Sequence, residues 1–129
     1  MSLTVPAELL EQAKDGEVPD KAFLECVRLS LPYAWSVISG LVERLPGTAN
    51  GFADNEVPPP DEAARGQLLR AMASDAMRGA LERHFGVRLA FQNCHRVAAF
   101  APSVPDSVYA EFVSPRAQLL NQSPQLVDC

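Results

Sequence analysis

Lysine is nearly absent: only Lys14 and Lys21 stand among eleven basic residues, the other nine being arginine. Isoleucine occurs once, at Ile38. This bias reads as the product of a GC-rich, bacterial coding genome and carries no mechanism. Cysteine is scarce too. Cys26, Cys94 and Cys129 form an odd set without a CxxC pair, which excludes a disulfide framework. No apolar run approaches the ~20 residues that a membrane span requires. The first 25 residues carry Glu8, Glu11, Lys14, Asp15, Glu17 and Asp20 and lack the apolar centre of a secretory signal. A cytoplasmic chain with reduced thiols and no membrane partner is therefore expected.

Glycine is too sparse and too scattered for a phosphate loop. There is no GxxxxGK[ST] and no GxGxxG after a strand, which disfavours nucleotidases and dinucleotide oxidoreductases. GxSxG and HExxH are missing as well. Cys26, His84, Cys94, His95 and Cys129 match no zinc spacing, and a structural zinc site takes about four ligands. Cys94 and His95 are adjacent, and neighbours on a strand point to opposite faces, so they make a poor nucleophile–base pair. No catalytic residue, metal or cofactor is expected, and the reading leans away from an enzyme.

What is present is an ordinary globular composition: 129 residues, 47% hydrophobic, 21% charged, with a net charge of −5. That suits one domain over residues 1–129. The acidity is confined to residues 1–60, with four basic and nine acidic side chains. Residues 62–96 are locally basic, with six arginines against Glu62, Asp75 and Glu82.

The pattern predicts an α+β fold, mainly α. A short helix starts at Thr4-Val5-Pro6 and stops at Gly16. Asp20 then caps a long helical pattern over about 20–45, with a kink near Leu31 or two helices meeting there, because Pro32 removes a backbone donor and clashes one turn back. Ser30 is placed to cap its second half. Residues 47–60, ending in three prolines, read as a long proline-rich loop. Asp61 caps a second long helix, 62–85, ended by Gly86 as a left-handed C-cap. Its buried face should hold Leu68, Leu69, Met72, Ala76, Ala80 and Leu81. A C-terminal β-hairpin over 87–101 follows; a two-residue turn would pair Phe91 with Arg96 and a three-residue turn pairs it with Val97, the second being preferred because it keeps Leu89, Phe91, Val97 and Ala99 on one apolar face. Ser103-x-x-Asp106 resembles a capping box, Ser114-Pro115 opens a further turn or helix, and 123–129 reads as a flexible tail.

The segments SLPYAW (30–35), ARGQLLRAMASDAMRGAL (64–81) and HFGVRLAFQNCHRVAAF (84–100) resemble those of a family of small actinobacterial proteins of uncharacterised function. The resemblance implies no activity and no site residue.

Candidate ligand-binding residues come from the residues themselves. Tyr33 and Trp35 flank the kink, where a groove would open. Arg70 and Arg78 lie on the basic helix, and His95 and Arg96 at the hairpin tip. The leading reading is a non-catalytic interaction or regulatory module acting through protein–protein contacts. The second is a winged-helix-like nucleic-acid binder using helix and hairpin 62–100, disfavoured by the acidic balance. The third is a small-anion or small-ligand binding protein or enzyme using the Pro32 groove and the helix arginines. A lone hairpin leaves two unpaired edges, so a homodimer is expected through the hairpin or through Leu68, Met72 and Ala76.

Overall fold

The computed structural model describes residues 3–55, 57–92 and 96–121. Its elements are α1 (Ala7–Asp15), α2 (Asp20–Ser30), α3 (Pro32–Arg44), a 3-10 turn at Leu45–Gly47, β1 (Phe52–Asp54), α4 (Glu62–Ala73), α5 (Asp75–Phe85), β2 (Arg88–Gln92), β3 (Arg96–Phe100), α6 (Asp106–Phe112) and α7 (Pro115–Leu120). The fold is α+β and mainly α.

Both long helices are broken. The first divides at Leu31, where Pro32 becomes the first residue of α3 and φ −126°, ψ 62° at Leu31 turn the chain. The second divides at Ser74, whose extended backbone separates α4 from α5 and whose hydroxyl accepts the Met77 N–H. This break rotates the two halves. Leu68, Met72, Ala80 and Leu81 are buried as expected, but Leu69 is 48% exposed and Ala76 is also exposed. Leu68 and Met72 lie in the chain's own core, which removes them from any contact with a second copy.

Three caps differ from expectation. Asp20 makes no cap and pairs instead with Arg83, 63 residues away. Ser30 does not cap α3; its hydroxyl accepts the Thr4 N–H. The α3 N-terminus is capped from outside, by the Gln67 side-chain oxygen of α4, which accepts the N–H groups of Tyr33 and Ala34 at 2.7 and 3.2 Å. Ser103 makes no capping box either, since α6 begins after Pro105 without a side-chain cap. The expected signals do operate at Asp61, at Gly86 with φ 66°, and at Ser114.

The hairpin has the expected register, Phe91 opposite Val97 and Gln92 opposite Arg96. It is not alone. Phe52–Asp54, inside the segment expected to be a loop, forms a third antiparallel strand on β3, giving the order β1-β3-β2. Asn55 prolongs the pairing: its N–H donates to the Val97 carbonyl and its side-chain oxygen accepts the Val97 N–H. β3 is thus central, and Val97, Ala98, Ala99 and Phe100 are each 0% exposed.

The alternation of β3 splits the core in two. Val97 and Ala99 join Leu89, Ala53 and the apolar faces of α2–α5. Ala98 and Phe100 join Ala90 and Phe112, with Phe52, Val104, Val108 and Tyr109 packed around them. Phe100 stacks on Phe52 at 5.3 Å and meets Tyr109 and Phe112 edge-on. The Gln92 amide donates to the Phe112 carbonyl and ties the hairpin to α6. The tail expected at 123–129, and the hairpin turn 93–95, lie outside the described residues.

The chain enters β1 through Gly51, at φ 79°, where a side chain would also meet Val104. Gly51→Ala should cost about 1–3 kcal/mol from backbone strain together with the clash. In a Val104→Ala background the cost should shrink without vanishing, because the positive φ remains. Urea denaturation of the four proteins of this cycle measures both parts.

Candidate functional site

The five candidate residues that are described do not converge. Tyr33 and Trp35 are two residues apart on α3 and point into different clefts. Tyr33 lines one with Val37, Gly40, Pro58 and Pro60. Trp35 lines another with Lys21, Leu24, Arg28 and His84. Its ring lies 5.6 Å from His84 and 5.3 Å from Phe85, so α5 occupies the space a kink groove was expected to leave. Burial, and secondarily the Asp61 carboxylate, push the Tyr33 hydroxyl above its ordinary pKa.

Arg78, Arg83, Arg88 and Arg96 are engaged locally, whereas the Arg70 Nε is buried without a hydrogen-bond partner among the described residues. Arg78 donates to the Met72 carbonyl and pairs with Asp75, the i,i+3 acid. Arg70 folds back over Gly66, with its NH1 atom placed 3.4 Å from where a Cβ on that glycine would sit. Arg96 lies on the sheet beside Asp54, Nε to carboxylate 3.2 Å, both side chains under one-fifth exposed. Arg83 is taken by Asp20, and Arg88 sits 3.5 Å over the Tyr109 ring. His95 lies outside the described residues. No basic array aimed at one ligand results from these placements.

The concave feature sequence reasoning missed is a groove between α1, α2 and α5. It encloses about 480 Å³, within the usual range of binding clefts. Leu3, Val5, Leu9, Leu10, Val18 and Phe23 supply its apolar walls, with Ala76 and Cys26 below. Three separate segments build it, which is why spacing along the chain did not reveal it. The apolar edge of α1 was visible as Leu9, Leu10 and Ala13, but its partner was not. Nothing in α1 is buried: Val5 just before it is 43% exposed and Leu10 is 46% exposed. The segment is held at its base, where Thr4 donates to the Ser30 hydroxyl and its carbonyl accepts the Cys26 thiol at 3.4 Å.

One end of the groove is closed by Asp20 and Arg83, joined by two hydrogen bonds of 2.7 and 3.0 Å. The Arg83 hydrogen bond holds the Asp20 carboxyl below the ordinary aspartate pKa and raises that of Arg83. Glu8, Asp15 and Glu17 on and after α1 enter none of the ion pairs among the described residues.

Among the described residues no three histidine, cysteine or acidic side chains gather as a metal site. No described helix is long and apolar enough to cross a membrane. Fold and surface together define a small, mainly α protein with an apolar cleft among α1, α2 and α5, closed at one end by the Asp20–Arg83 pair. The chain belongs to the family described as NucS shadow ORF, whose model matches residues 1–129. No curated protein and no solved structure matches it.

The Asp20–Arg83 pair yields a pH dependence. Its folded pKa lies below the unfolded one, so its contribution to stability is present above the ordinary aspartate value of about 3.9 and fades as pH falls through the lower folded value. Asp20→Asn should therefore be less stable than the parent near neutral pH. The gap should close toward a pH of about 2, as read from denaturant midpoints across that range.

Proposed function

We propose that this chain is a non-catalytic interaction module of the bacterial cytoplasm that works by binding another protein. The observation that carries the reading is the α1–α2–α5 groove, an apolar concavity left open with Leu10 and Val5 in solvent. Exposed apolar surface rimmed by polar groups is the usual mark of a protein contact. The family description names a reading frame and no activity.

A second reading rests on topology. β1-α4-α5-β2-β3-α6, with the last strand central, follows the order of a KH module, and the family's short name contains KH. KH modules clamp a nucleotide backbone with a Gly-x-x-Gly loop. Here the junction joining the two helices reads Ala73-Ser74-Asp75-Ala76, with no glycine and with an acid where phosphate would approach. The neighbouring Arg78 is held by Asp75 and the Met72 carbonyl. The winged-helix alternative meets the same obstacle: α5 packs on α2, burying Met77, Ala80 and Leu81, and gives Arg83 to Asp20.

Selection of a random peptide library on the immobilised chain tests the leading reading. A convergent set of peptides is expected, and a pool that stays unselected overturns it. Oligonucleotide anisotropy tests the second. Single- and double-stranded probes should bind no tighter than the non-specific micromolar range at physiological salt. Tight, selective binding would put the KH reading first.

The homodimer stands as part of the proposal on narrower ground. β1 covers one edge of β3, and α6 covers the sheet face opposite the main core. The outer edges of β1 and β2 remain, the first met by Arg44, which donates to the Asp54 carbonyl, the second blunted where the Glu82 carboxylate accepts the Leu89 N–H. Light scattering behind a sizing column should return about twice the 14.0 kDa chain mass. The mass of one chain across micromolar concentrations removes the pair.

A further inference from the structure

We infer that α1 is a latched strap: it lifts off the α2–α5 seam as a unit, turning about residues 16–19, while the rest of the fold stays closed. The contacts of Thr4 with Ser30 and Cys26 are its latch. The strap governs access to the cleft of the protein-binding reading, but it does not rest on that reading.

Little holds α1 in place. It is the one α-helix among the described elements with no buried residue. α2, α3 and α5 bury three residues each, α4 buries four, and the short α6 and α7 still bury Phe112 and Ala117. No side chain caps its N-terminus. With nine residues it has little stability of its own, since isolated helices shorter than about 12–15 residues are marginal in water. It must draw stability from packing, and the packing is thin. A cleft of about 480 Å³ lies between α1 and the Phe23, Cys26 and Ala76 side chains of α2 and α5.

Its attachments gather at one end. Among the described residues, the hydrogen bonds that lead from residues 3–15 to the remainder of the chain all belong to Thr4. Its N–H donates to the Ser30 hydroxyl at 2.9 Å, and its carbonyl accepts the Cys26 thiol at 3.4 Å and the Ser30 hydroxyl at 3.5 Å. Leu3, one residue earlier, packs half-buried on the main core. The ion pair on α1, Lys14 with Glu11, is internal to the helix. At the other end, residues 16–19 form neither helix nor strand, and no neighbouring atom crowds the position of a Cβ on Gly16.

A segment with few buried contacts opens ahead of the core. Releasing Thr4 frees α1 with little apolar surface to return to water, so lifting it costs far less than unfolding the chain. α2 and α5 stay joined without it, through the Asp20–Arg83 pair and through Leu24, Val27, Ala80 and Leu81 of the main core. What the lifted strap uncovers is Phe23, Cys26 and Ala76.

Hydrogen exchange on the full chain, read amide by amide, tests this. The amides bonded within α1, from Leu10 to Gly16, should be protected, yet exchange about a hundredfold or more faster than those of α3. Dilute urea should speed the α3 amides and leave those of α1 nearly unchanged, because the response to urea scales with the surface an opening exposes. Ser30→Ala removes the acceptor of the latch and should speed the α1 amides about fivefold, the net contribution of one hydrogen bond. Ile38→Val, at a 0% exposed core position of α3, should speed the α3 amides about fivefold and leave α1 alone, because α1 lifts without disturbing that site.

An α1 as protected as α3, with the same urea response, overturns the strap. So does an α1 without protection, which has no closed state to leave. Acceleration of α1 by Ile38→Val shows that it opens only with the core, and indifference of α1 to Ser30→Ala removes the latch; either result overturns the inference. No peptide enters these measurements, so their failure leaves the protein-binding reading standing, and an unselected peptide library leaves the strap standing.

Discussion

Four consecutive side chains of β3, Val97 to Phe100, are out of water on both faces of the sheet. A strand in that position cannot be served by one layer. Its Val97–Ala99 face is met by α3, α4 and α5, and its Ala98–Phe100 face by α6. Its two edges are taken by β1 and β2. The alanines matter as much as the phenylalanine, because short side chains at 98 and 99 let both helical layers come close while Phe100 fills the space the second layer leaves. Removing water from β3 thus requires most of the chain to be in place at once, and that couples the N-terminal helices to the C-terminal ones.

The helical layer has its own cross-tie. Gln67 reaches from α4 to the first N–H groups of α3, so the kink at Leu31–Pro32 is held by a side chain of another helix. These donors would otherwise stand unpaired at a partly buried helix end. The mutual position of α3 and α4 is therefore fixed by hydrogen bonds as well as by packing.

Much of this was legible in the residues. Pro32 announced a break, Asp61 and Gly86 the outer limits of α4 and α5, and the alternation of Leu89, Phe91, Val97 and Ala99 the hairpin register. What was not legible depends on distant partners. Phe52-Ala53-Asp54 is too short to show a period, and it is a strand only because β3 offers an edge. Asp20 has the right chemistry for a cap, yet a guanidinium 63 residues on competes for it successfully. Ser74 is the exception. It carried a local signal, a cap residue followed by an acid, but the surrounding alanines favoured one continuous helix. The groove was invisible for the reason β1 was: its walls are assembled from pieces whose meeting no local pattern records.

The Cys26 thiol lies 5% exposed beneath the N-terminal segment, hydrogen-bonded to the Thr4 carbonyl. The cover over it is thin, because α1 buries none of its own residues and is pinned near Thr4. Lifting that segment would uncover a sulfur that the rest of the fold leaves in place. The cysteine is thus a built-in chemical clock: its rate of alkylation measures how often the first turn of chain departs, and an occupant seated in the groove would slow it.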